Sequence, residues 1–117
     1  MSPSSPNTMT RAERSTHSSA RGKVRIDTHF HANITYLPPS SRKKKALTIV
    51  PALSHLDVVC STEHIYKDPL LAYDFLCYAK EKHLGDFEVI PGVENISKEG
   101  VELIFLSSSR SHLVEIL

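Results

Sequence analysis

Two histidines separated by one residue, His29 and His31, close the short β-branched run KVRIDTHFH. Successive strand side chains point to opposite faces, so residues two apart project to one side, where two imidazoles can grip a single metal ion from rigid backbone. Neutral imidazole suits zinc, iron and manganese. With seven histidines in the chain, such a pair arises readily by chance, so its weight depends on where the other polar residues fall. A second apolar run, Asp57 to Thr62 (DVVCST), leads into Glu63 and His64, and a third, Phe87 to Val93 (FEVIPGV), delivers Glu94. Each run reads as a strand that ends in potential ligands, and in parallel βα folds the C-terminal strand ends converge on the functional site. The bland alternative is strand-end polar residues meeting solvent, which suits Glu63 better than three histidines.

Helices are expected between these strands. Ser40 to Leu56 carries Ala46, Ile49, Val50 and Leu53 at helical spacing, and Pro51 is expected to kink or restart that helix because it lacks a backbone donor. The second helix has Asp68 as its cap and Pro69 in its first turn, with Leu71, Phe75, Tyr78 and Ala79 on one face. Lys80, Lys82 and His83 lie near its negative end, and Gly85 is expected to stop it. Val101 to Leu106 reads as a fourth strand beyond a turn at Lys98, Glu99 and Gly100, and Ser111 to Leu117 begins another helix. Strand, helix, strand, helix, strand predicts an α/β fold of parallel βα units. Val58, Val59, Val89, Ile90, Leu103, Ile104 and Leu106 make the strands apolar on both faces, as buried parallel strands are.

Size and charge bound the function. A chain of 117 residues supports one domain, and 14 basic against 13 acidic residues give a net charge of +1, which argues against a general electrostatic grip on nucleic acid. Residues 1–22 are rich in Ser, Thr, Pro and Arg and have no apolar helical face, so they read as a disordered tail before a folded domain at 23–117. Cys60 and Cys77 form neither a disulfide framework nor a zinc-finger spacing, and no apolar run nears the roughly 20 residues of a membrane span. A soluble cytoplasmic protein with no membrane contact is the expectation.

The segments IDTHFHAN, LDVVCSTEH and FEVIPGVEN, in this order and spacing, resemble the first three motifs of the polymerase and histidinol phosphatase (PHP) domain: D-x-H-x-H, a strand ending T-D-H, and P-G-x-E. The resemblance spans about Lys23 to Leu106. It implies a distorted barrel of seven βα units and up to three divalent metal ions, usually zinc, manganese or iron, that hydrolyse phosphate esters. It further implies that His29 and His31 hold one metal, that Glu94 bridges two, and that His64 belongs to the third position, with Glu94 and His64 as the catalytic residues. The implied substrate is a phosphorylated small molecule or a nucleic-acid end.

The sequence departs from the family pattern in three places. T-D-H appears as Thr62, Glu63, His64; the small polar segment usual after H-x-H is replaced by Ile34, Thr35, Tyr36 and Leu37; and the family's later histidines and late D-x-H are unmatched, His112 having different surroundings. The chain is therefore expected to be the truncated front portion of the barrel, with activity depending on further strands. Since about eight strands are needed to fill a barrel interior, self-association or a partner that completes the barrel is expected. Two alternatives stay open: a TatD-like or amidohydrolase-type metal hydrolase, against which Pro91, Gly92, Val93 and Glu94 speak, and a non-catalytic remnant that binds metal or a partner.

The remaining polar residues receive plainer readings. Arg42, Lys43, Lys44 and Lys45 read as a solvated helix surface, Cys60 as a packing residue, His55 as structural, and His17 and His83 as solvent-exposed.

Overall fold

Apolar residues at helical spacing make two amphipathic helices, and three β-branched or apolar runs make the strands they cover. In the computed structural model, which describes residues 23–117, the elements are β1 (Ile26–Phe30), α1 (Pro39–Leu53), β2 (Val58–Ser61), α2 (Pro69–Lys82), β3 (Glu88–Ile96), β4 (Glu102–Leu106) and α3 (Arg110–Ile116). A short 3-10 turn, Ile65–Lys67, joins β2 to α2. The expected tail at 1–22, with His17, lies outside the described residues. Ala46, Ile49, Val50 and Leu53 of α1 pack with Ala72, Phe75, Leu76 and Ala79 of α2 over Val59 and Phe87 to form the core.

The sheet order is β1-β2-β3-β4, a curled mixed half-barrel. β2 is central and parallel to both β1 and β3, as the βα pattern requires. β4 is antiparallel to β3, which corrects the expectation of parallel units throughout. The reason is length: residues 97–101 are five, whereas a parallel crossover needs a dozen or more. Ser97 and Gly100 close the hairpin turn by backbone hydrogen bonds, with Gly100 at φ +84. At Gly92 an added Cβ would meet the Phe105 carbonyl oxygen at 2.6 Å, so the hairpin closes only around a residue without a side chain.

The helices begin and end largely as their sequences direct. Asp68 caps α2 by accepting from the Leu71 amide at 3.1 Å. Its buried face is Ala72, Phe75, Leu76 and Ala79, while Tyr78 is 45% exposed and so leaves the face expected for it. Leu84 (φ 55), and not Gly85, takes the left-handed conformation that ends the helix. Gly85 serves close packing instead, since a Cβ there would meet the Phe87 ring at 2.8 Å. Pro51 does not restart α1, which runs through it to Leu53; it falls in the last turn. No helix among the described residues is long and apolar enough to cross a membrane.

β4 is apolar yet uncovered: Leu103, Ile104, Phe105 and Leu106 are each 37–48% exposed. Among the described residues its outer edge pairs with no other strand, which makes it a ready template for one. The chain expressed alone is therefore expected to self-associate or aggregate. Analytical ultracentrifugation at tens of micromolar checks this, and a stable, cooperatively unfolding monomer would contradict it.

Candidate metal centre

Backbone pairing assembles the cluster before any side chain is considered. The ladder between β2 and β3 runs to Ser61↔Pro91, and the isolated parallel bridge His64↔Glu94 resumes it at the same offset. The Glu94 amide donates to the Glu63 carbonyl at 3.0 Å, and the Thr62 amide donates to the Phe30 carbonyl at 2.9 Å, so the ends of all three parallel strands are tied together. On β1 the register shifts between Asp27 and Phe30, an irregularity that re-aims side chains at a strand end. Asp27 Oδ1 accepts from the His29 amide at 2.9 Å and fixes that bend.

All four residues expected as ligands meet there. His29 Nε2 contacts Glu94 Oε1, His31 Nε2 lies 2.9 Å from the same oxygen, and the two Nε2 atoms are 3.1 Å apart. His64 Nδ1 is 3.0 Å from Glu94 Oε2 but is not aligned to hydrogen-bond it, so that buried oxygen has a near neighbour without a hydrogen bond. The Glu94 side chain is fully buried, while those of His29, His31 and His64 are 44%, 20% and 21% exposed. The carboxylate is thus the floor of the cluster and the imidazoles its rim.

Two imidazole nitrogens and one carboxylate oxygen lie close together, and neutral imidazoles with one N–H each cannot hydrogen-bond in all three contacts. His29, His31 and Glu94 form one group that could hold a metal ion, and His31, Glu63 and His64 form a second, with His31 common to both.

Burial pushes the Glu94 carboxyl up, but the His29 and His31 contacts and the nearby His64 imidazole together outweigh it and hold the group below the usual carboxylate range. Glu94 is therefore anionic at neutral pH, as a metal ligand must be. Glu102, diagonal to Glu94 across the hairpin, is a neighbour that sequence reasoning did not anticipate.

Glu63 is the more substantial omission. It stands outside the expected ligand set, yet its side chain is fully buried and its two oxygens accept from the Asn33 amide at 2.8 Å and the His64 amide at 3.0 Å. Its Oε1 also lies 3.5 Å from His31 Nδ1. One carboxylate thus fixes the loops after β1 and β2 and faces the far nitrogen of a candidate ligand, an arrangement that orients imidazoles at metal sites. Its position beside His64 in the T-E-H segment was the available signal.

Two members of the basic run also take on a role. Arg42 donates to the Ile34 carbonyl at 3.3 Å and to the Thr35 carbonyl at 3.2 Å, and Lys45 donates to the Ala32 carbonyl at 2.5 Å. They clamp the loop that follows His31, which corrects their reading as a merely solvated surface; Lys43 and Lys44 remain exposed. Cys60 is buried, and burial followed by the nearby Asp27 carboxylate pushes its thiol up, in keeping with a packing role. His55 is exposed, with its carbonyl accepting from Arg25, and His83 is half-buried, not exposed. His112 lies on α3 beside Ser108.

In comparison with known proteins, the chain matches no family model, no curated protein and no solved structure.

The purified chain, prepared without chelator, is expected to retain zinc, manganese or iron, and His29→Ala with His31→Ala to remove it. Elemental analysis reads both, and a metal-free parent chain would count against the site. Glu63→Ala leaves the part-buried Asn33 and His64 amides without their acceptor, so it should cost about 1–3 kcal/mol of stability and weaken metal binding about 10- to 100-fold. Thermal unfolding and a competitive chelator titration measure these two effects.

Proposed function

We propose that the chain binds divalent zinc, manganese or iron through His29, His31, His64 and Glu94 and belongs to a metal-dependent phosphoesterase of the PHP type. The observation that carries this reading is the fully buried Glu94 carboxylate, with two imidazoles at one oxygen and a third imidazole beside the other. A carboxylate so placed can span two cations and lower their mutual repulsion. His29 and His31 would hold one ion at the end of β1, and His64, just beyond β2, would serve the neighbouring position. Divalent ions bound there would supply hydroxide near neutral pH and would neutralise charge on phosphoryl oxygens. The protein's own part is to keep Glu94 ionised and dry, to orient the imidazoles through Glu63 and Asp27, and to leave the histidine rim open to a substrate.

The ordered motifs D-x-H-x-H, T-E-H and P-G-x-E support this assignment over other barrel hydrolases, because the third accounts for the close hairpin at Gly92 and for Glu94 two residues later. One observation favours a second reading, a metal-binding module that docks a partner without turnover: the uncovered apolar surface of β4.

A generic phosphomonoester assay with manganese tests the first reading. Hydrolysis is expected where self-association or a partner completes the barrel, and Glu94→Gln should abolish it by removing the bridging charge. Activity equal to the parent in that variant would assign the hydrolysis to another site. Retained metal with no turnover in the parent chain would favour the second reading.

A further inference from the structure

The cluster has an aromatic neighbour that neither packing nor metal binding accounts for. The Tyr66 ring stacks on His64, with centroids 5.0 Å apart and planes 20° from parallel, and His64 in turn meets His31 edge-on at 4.3 Å. Three rings therefore lead outward from the buried carboxylate to the surface. Tyr66 is 66% exposed, so the ring face turned away from His64 meets solvent.

Its backbone is held firmly. Tyr66 is the middle residue of the 3-10 turn, which the Lys67 amide closes by donating to the His64 carbonyl at 2.8 Å. Thr35 donates its hydroxyl to the Lys67 carbonyl and joins this turn to the loop after β1. On the other side Asp68 caps α2. A large planar side chain on a fixed turn, with one face covered and one open, is what a stacking surface for another ring requires.

We propose that Tyr66 is the base-stacking platform of this site, and that the phosphate ester it takes is a nucleoside monophosphate and not a sugar phosphate. The proposal rests on the phosphoester reading above and narrows it. The phosphate would lie at the histidine rim and the base against the outer face of Tyr66. A free nucleotide is favoured over a long strand because a net charge of +1 offers no extended counterpart to a polyphosphate backbone.

The test is calorimetric titration of the manganese-loaded full chain with inorganic phosphate, ribose 5-phosphate and adenosine 5′-monophosphate. The monophosphate is expected to bind about tenfold more tightly than ribose 5-phosphate, the order of one base–aromatic stack. Tyr66→Ala should erase that advantage while leaving ribose 5-phosphate affinity and metal content at parent values, and Tyr66→Phe should keep it. Equal binding of the two esters by the parent chain, or a loss in Tyr66→Ala that is the same for both, would overturn the stacking proposal and leave the phosphoester reading standing. Failure of the loaded chain to bind inorganic phosphate would overturn that reading, and the stacking proposal with it.

Discussion

A carboxylate withdrawn from water is the constraint around which this protein is arranged. Removing an ionised group from solvent costs several kcal/mol unless charges or donors replace the lost hydration. Glu94 meets that condition through three imidazoles drawn from two other strand ends, and its own amide is fixed by the Glu63 carbonyl. The strand order meets this requirement. β2 lies between β1 and β3, so His64 just beyond its end pairs with Glu94 directly while His29 and His31 reach across from the end of β1.

Positioning depends on residues that touch no candidate ligand atom as well as on those that do. Asp27 holds the bend before His29, while Arg42 and Lys45 hold carbonyls of the loop after His31. Glu63 connects the loops after β1 and β2 through two amides. These contacts run from backbone to side chain, so they fix where the strand ends lie and not merely how the rings turn. Such rigidity suits a site that must present several ligands at once.

Much of this was legible in the sequence because it depends on short-range pattern. Alternation placed His29 and His31 on one side, three apolar runs gave the parallel strands, and Asp68-Pro69 marked the start of α2. What was not legible depends on tertiary pairing or on local geometry that composition does not report. Glu63 reads as a solvent-facing strand-end residue until the Asn33 and His64 amides are seen to converge on it. The direction of β4 was readable in principle from the five-residue turn, but its apolar composition pointed to a buried parallel strand and prevailed. Leu84 in the left-handed region runs against residue preference, while the neighbouring Gly85 admits the Phe87 ring.

The two kinds of strand connection also set an order of assembly. The β3–β4 hairpin joins near neighbours across a five-residue turn, whereas His29 and Glu94 are 65 residues apart and meet only after both parallel ladders have closed. Loop closure must precede any favourable contact there, so local pairing forms fastest and the cluster is completed late. An ion held between strand ends would find its ligand set only in the native chain, and its binding energy would then add to the stability of that state.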